Sequence, residues 1–398
     1  MPSRSPAKRP ATPAPTRSGF ALWELGFRPF YLLASAFSAI SIGLWAMQFA
    51  GWLPQPYLQG PIWHAHEMLF GFTMAVVVGF LFTAGRNWAN RPTPTGWLLA
   101  ALALLWIAGR VLVLTPWGWA AAIANTAFPA AAAIALAIPF FAAGVRRNYF
   151  FVALLLLMSA AALAIHLQHL GVIVLPARLG IQIGLDAVLF IVAVMGGRVI
   201  PMFTNNGVPQ AGATRNARLE QATLALTLAL LAADLIGLQG TPLAIVAAVG
   251  AGAHAVRWVL WRPWKTLSTP LVWVLHLAYL WLPVHLVLRT LASTGVVAPS
   301  FAVHALTVGA IGGLIIGMMT RTAKGHTARP LRADRWDVTA YVLVALAAIV
   351  RVALPLAVPQ LLLVSIIGSA VLWSAGFALY AIRYWPVLTR PRLDGKPG

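Results

Sequence analysis

Apolar residues along this chain gather into twelve stretches, at about residues 30–51, 63–84, 96–114, 118–142, 149–170, 179–200, 218–238, 242–261, 270–291, 301–319, 337–358 and 361–384, with short polar connections between them. Each stretch holds about 19 to 25 residues, which as helix at about 1.5 Å per residue spans a hydrocarbon layer of about 30 Å. The pattern predicts an all-α membrane protein with about twelve transmembrane helices in a single polytopic domain over residues 20–385. Residues 1–19 are rich in Pro, Ala, Ser and Arg and contain no apolar core of the kind a signal peptide carries. They read as a disordered basic tail. Residues 386–398 read as a second short tail.

Composition agrees with that architecture, at 60% hydrophobic and 9% charged residues. Lys and Arg then fix an expected orientation, because positively charged loops are retained on the cytoplasmic side. The N-terminal tail, the connections carrying Arg86 and Arg91, Arg146 and Arg147, Arg215 and Arg218, Arg262 and Lys265, the run from Arg321 to Arg335, and the C-terminal tail all fall on one side. The opposite connections hold only Arg178 and Arg289, so both termini are expected in the cytoplasm. The net charge of +20 is accordingly a topology signal in contact with the lipid bilayer and its anionic head groups, and no nucleic-acid partner is expected.

The chain has no cysteine, which excludes disulfides, iron–sulfur clusters, thiolate metal sites and cysteine nucleophiles. It has no phosphate-binding loop of Walker type, so ATP-driven work is not expected. Chemistry is therefore sought at polar residues inside the apolar spans, each of which needs a partner at bilayer depth.

Six of the nine histidines, His64, His66, His166, His169, His285 and His304, are expected near the non-cytoplasmic face. His254 and His276 fall toward the cytoplasm, and His326 is expected in the large loop there. A lone interfacial imidazole is commonly half-solvated and structural. The run Trp63-His64-Ala65-His66-Glu67-Met68 is denser, with four groups able to hold metal or carry protons within five positions. In a helix, His64 and Met68 share a face and His66 points elsewhere.

A second constellation begins at His304 and continues through Gly309, Gly312, Gly313 and Gly317 to Arg321 and His326. Its bare side suits either close helix packing or the approach of a flat macrocycle ligated by His304. A third runs from Arg198 through Pro201 to Thr204, Asn205 and Asn206, where the proline is expected to end or kink the helix. Arg198 there either reaches the interface or pairs with an anionic group. Glu67, Asp186, Asp234, Arg110 and Arg351 all fall in the outer half. They either neutralise one another or leave Arg110 or Arg351 to hold haem propionates, with Glu67 carrying protons or orienting an imidazole.

The strings His64-Ala-His-Glu-Met-Leu-Phe-Gly-Phe, Gly197-Arg-Val-Ile-Pro-Met-Phe-Thr-Asn-Asn, His304-Ala-Leu-Thr-Val-Gly-Ala-Ile-Gly and Met319-Thr-Arg-Thr-Ala-Lys-Gly-His-Thr resemble signature segments of the NnrS family. Gly26-Phe-Arg-Pro-Phe and Leu275-His-Leu-Ala-Tyr match as well, so the resemblance runs over nearly the whole chain. It implies a bacterial inner-membrane protein of twelve spans that contains haem and copper and serves nitric oxide metabolism or nitrosative-stress defence. It assigns candidate roles to His64, His66, Glu67, Met68, Arg198, His276, His304, Arg321 and His326.

Helix two also bears a weaker similarity to the second helix of the haem–copper oxidase core subunit, whose second and tenth helices supply the axial histidines of a low-spin haem. His66 and His304 fall on the corresponding helices. Helices six and seven contain no histidine, so the copper triad of those oxidases is absent here. Three classes of function follow: a haem- and copper-containing protein acting on nitric oxide or a related small molecule, a secondary transporter, and a haem or copper assembly factor.

Overall fold

Connections of a few residues leave each helix little choice but to run back against the one before it. The computed structural model describes residues 19–49, 51–53, 57–58, 60–176 and 178–396, so the expected N-terminal tail lies, up to residue 18, outside the described residues. Among these are twelve long helices: α1 Phe27–Phe49, α2 Pro61–Ala89, α3 Gly96–Leu112, α4 Gly118–Ala142, α5 Tyr149–His169, α6 Leu179–Gly207, α7 Ala217–Leu235, α8 Gly240–Leu260, α9 Pro270–Ser293, α10 Pro299–His326, α11 Arg335–Ala357 and α12 Leu362–Thr389. Ten are long and apolar enough to cross a membrane. The other two are α3, with 17 residues, and α7, which carries Arg218, Glu220 and Asp234.

The helix starts follow local chemistry. Pro61, Pro270 and Pro299 sit in the first turn, where a missing N–H is no loss. The Asn216 side chain caps α7, and Asp334 with Asp337 forms a capping box on α11. Two expected ends move. Pro201 does not end its helix, because α6 runs through it to Gly207. The carbonyl that Pro201 leaves without a donor is that of Gly197, a residue with no side chain to crowd the ring. α10 likewise continues past its apolar stretch to His326, which is its last residue rather than part of a loop.

Within the bundle α2 and α6 are the most enclosed helices. α2 touches α1, α3, α4 and α6, while α9 lies between α8 and α10. Hydrocarbon gives little drive for helices to associate, so small residues at the contacts decide how near they come. The glycine side of α10 is filled by protein: a Cβ at Gly313 would lie 2.6 Å from that of Ala278, and one at Gly317 2.8 Å from Val274. Trp281 covers Gly309 in the same way and Trp373 of α12 covers Gly312. Close packing occupies that face.

Two helices depart from α geometry at matching places. Glu67–Thr73 in α2 and Ala305–Gly312 in α10 are π-helical, and each segment begins one residue after a histidine, His66 or His304. Both histidines are followed by glycine five and thirteen positions on, Gly71 and Gly79 in one helix and Gly309 and Gly317 in the other. π segments of this kind recur at functional sites.

The first and last described segments of the chain meet at one end of the bundle, where Ala21 N donates to Thr389 O at 2.7 Å and Arg28 Nη1 to Leu388 O at 3.0 Å. The chain has eight carboxylate residues, and every one is paired. Glu24 pairs with Arg28, Glu67 with Arg110, Asp186 and Asp234 with Arg289, Glu220 with Arg257 and Arg215, Asp334 with Arg383, Asp337 with Lys324, and Asp394 with Arg392. Arg289 is therefore a buried residue of α9 rather than a loop cation.

Candidate functional site

α2 enters the bundle at the end opposite Ala21 and Thr389. His64 and His66 are two positions apart on a regular turn, so their side chains leave the helix on opposite sides. Each meets a different set of partners.

His66 is fully buried, and its Nδ1 donates to Glu67 Oε1 at 2.8 Å. The same oxygen accepts from Arg110 Nη1 at the end of α3, and Arg110 Nη2 donates to Asn125 of α4. Asn125 is anchored in turn by donating to Ala121 O at 2.9 Å. The guanidinium lies over the rings of Phe37 and Trp106, and Trp106 donates to Gly71 O in the π segment at 3.0 Å. Gly71 is needed there, since a Cβ on it would stand 2.8 Å from Arg110 Nη1.

Across from His66, at the end of α5, lies the buried ring of His166, with centroids 4.9 Å apart and planes at 77°. His166 Nδ1 shares a 2.9 Å hydrogen bond with the hydroxyl of Tyr57, from the connection between α1 and α2. The Nε2 atoms of both histidines are buried and have no hydrogen-bond partner, as does Glu67 Oε2. An imidazole whose Nδ1 is held by oxygen while Nε2 stays free is the arrangement of a metal-ligating histidine. The tautomer with hydrogen on Nδ1 leaves the Nε2 lone pair available.

On the other face of α2, His64 stacks on Trp45 of α1 with centroids 5.2 Å apart. His304 and Arg351 of α11 lie within electrostatic range of it. His304 Nδ1 donates to Ser300 O at 2.6 Å, one turn back in its own helix. Arg351 has no carboxylate, since all eight are engaged elsewhere. Met68 lies on the same side as His64, accepting from the Ser41 hydroxyl of α1 at 3.6 Å.

The structure thus joins His66 to Glu67 and Arg110 by hydrogen bonds, and sets His64, His304 and Arg351 within electrostatic range of one another. The contacts of His66 and those of His304 do not overlap. His276, Arg198, Asn205, Arg321 and His326 lie away from both groups, toward the end that holds Ala21 and Thr389. His276 Nε2 meets Thr204 Oγ1 at 2.8 Å. Arg198 donates to Asn148 at 3.0 Å and lies over Phe150 and Phe151. Asn205 makes two hydrogen bonds to Ala213 and pins the following connection. Arg321 stacks at 3.8 Å on Phe203, and His326 packs against Phe27.

His166, which sequence placed near the same face without a role, and Tyr57 and Asn125, which it did not mark, complete the buried site. His166 had a faint signal, the pair His166 and His169 on successive turns at the end of an apolar span. Among the described residues no three His, Asp or Glu side chains converge as a metal-binding group, so any ion here rests on two imidazoles and groups beyond that set.

Fold and site together define a multi-pass helical membrane protein with two histidine-bearing groups near one end of its bundle. The family model described as NnrS protein matches residues 21–392, and the chain belongs to the NnrS family. A search of curated proteins finds no match.

Proposed function

We propose that this chain is a haem- and copper-containing protein of the bacterial inner membrane that serves nitric oxide metabolism or nitrosative-stress defence. The reading rests on family membership and is carried by one observation: the buried His66 and His166 rings, 4.9 Å apart, each with Nδ1 engaged by a neighbouring oxygen and Nε2 unpartnered. That pair suits one transition-metal ion, at nitrogen–metal distances of about 2.0 Å, and copper accepts imidazole readily. His64, His304 and Arg351 suit haem, with imidazole for the iron and a guanidinium free of carboxylate for a propionate. When bound, haem iron offers a coordination position for nitric oxide and copper offers one-electron redox chemistry.

The residues around these groups do work of their own. Arg110 neutralises Glu67, and Glu67 fixes the His66 ring. Trp106 and Phe37 exclude water from the guanidinium. Optical spectra and metal analysis of detergent-purified protein test the reading. Wild type is expected to show a Soret band that shifts with nitric oxide, together with copper; His304→Ala and Arg351→Gln are expected to lower haem content, and His66→Ala and His166→Ala to lower copper content. Protein that carries neither metal when both are supplied, or variants that keep full content of both, would overturn it.

A further inference from the structure

At the other end of the bundle, between the end of α10, the start of α11 and the end of α12, is a cavity of about 300 Å³. Its charged lining is Lys324, Arg329, Arg332, Arg383, Asp334 and Asp337. Both carboxylates are already committed. Asp337 accepts from Lys324 Nζ and from the Tyr384 hydroxyl, each at 2.8 Å. Asp334 accepts from Arg383 at 2.8 Å and caps α11 through the N–H groups of Trp336 and Asp337.

Arg329 and Arg332 are left over. Arg329 Nη1 is buried without a hydrogen-bond partner, and every Asp and Glu side chain of the chain is paired with another cation. The residues outside the described set contain no Asp or Glu. The cavity therefore holds two cations in excess and an unsatisfied buried donor, an arrangement that is unfavourable until an anion enters.

We propose that this cavity is a phosphate-binding site, taking the phosphate group of an anionic phospholipid or a free phosphate at the membrane surface. A phosphomonoester carries a charge of about −1.5 to −2, which matches the excess, and its oxygens accept from the forked donors of arginine. A basic pocket between helices at the bilayer surface is where a lipid phosphate is within reach. The turn that presents Arg329 is fixed, with Ala328 at φ 58° and Arg329 N donating to Lys324 O at 2.9 Å.

The test uses delipidated full-length protein in neutral detergent, the double variant Arg329→Gln/Arg332→Gln, its charge-keeping counterpart Arg329→Lys/Arg332→Lys, and Arg91→Gln as a control. Native mass spectrometry reads retention of phosphatidic acid against phosphatidylcholine, and calorimetry reads binding of inorganic phosphate. Selective retention of phosphatidic acid that falls at least about tenfold in the glutamine variant and survives in the lysine variant supports a lipid source. Binding of inorganic phosphate with the same dependence on Arg329 and Arg332 supports a soluble one. Absence of binding to both probes, or equal binding by wild type and the glutamine variant, overturns the proposal. An unchanged melting temperature and metal content in the glutamine variant separates this result from misfolding and from the fate of the metal sites.

Discussion

Gly197→Ala tests how the bundle holds its buried charge. Gly197 of α6 faces the pair made by Glu220 of α7 and Arg257 of α8, in which Arg257 Nε and Nη2 donate to the two carboxylate oxygens at 2.9 and 2.7 Å. Arg257 is 1% exposed and also donates to the Tyr279 hydroxyl at 3.0 Å; that hydroxyl bonds His254 Nδ1 at 2.6 Å. A Cβ on Gly197 would overlap both Arg257 Nη2 and Glu220 Oε2, so the pair has to move apart or leave. Breaking a buried pair costs about 3–5 kcal/mol, and alanine in place of a helical glycine returns about 0.5–1 kcal/mol. The net expectation is a loss of about 2–4 kcal/mol. Reversible unfolding in micelles of rising dodecyl sulfate fraction measures it. Gly252→Ala in α8, where an added Cβ meets nothing within 4 Å, serves as the control and should gain about 0.5–1 kcal/mol. In a Glu220→Ala/Arg257→Ala background, Gly197→Ala should fall within about 1 kcal/mol of its parent, because both atoms that oppose the added Cβ are gone. If Gly197→Ala sits within about 1 kcal/mol of wild type, or is equally harmful in that background, the steric reasoning is wrong.

Other expectations follow from the same contacts. Glu67→Ala and Tyr57→Phe each remove an oxygen that orients an imidazole, and copper affinity should fall about 10- to 100-fold, read by competition with a chromophoric chelator. Gly313→Leu forces a side chain against Ala278, whose Cβ is already 2.6 Å from where a Cβ would stand, and should destabilise the fold by at least about 1–3 kcal/mol in the same micelle assay. Asn216→Ala deletes the cap on Leu219 N and should cost about 1 kcal/mol, with α7 exchanging amide hydrogen faster at its first turn.

Much of the fold was legible because a membrane imposes one length and one polarity on every crossing. All twelve apolar stretches correspond to helices, and their ends were misjudged where the chain leaves the hydrocarbon while still helical. α6 and α10 both continue for about two turns beyond their apolar parts. Composition reports immersion and not hydrogen bonding, so Thr204, Asn205, Lys324 and His326 read as loop residues although their backbones stay in register. Arg289 was misplaced for a related reason. A cation near the end of a span looks like a loop residue until Asp186 and Asp234, on two other helices, are seen to reach it.

The site was legible only as far as one helix can speak for itself. Spacing alone says that His64 and His66 face apart and that Met68 goes with His64, and the contacts of Trp45, Ser41 and Glu67 follow that geometry. What each histidine meets depends on helices distant in sequence. His166 is a hundred residues from His66, and it reaches that pocket because Gly180 and Gly184 let α6 close on α5 and α2. A Cβ on Gly180 would lie 2.6 Å from Ile165, beside His166, and one on Gly184 2.6 Å from Leu69 in the π segment. The glycines of α6 thus bring the two imidazole-bearing helices to one pocket, a consequence visible only once all three are seen together. Arg110 is the complementary case. As a lone intramembrane cation it pointed equally to a propionate and to a carboxylate, and the choice rested on Glu67 lying one residue past His66, on the face of α2 that turns toward α3.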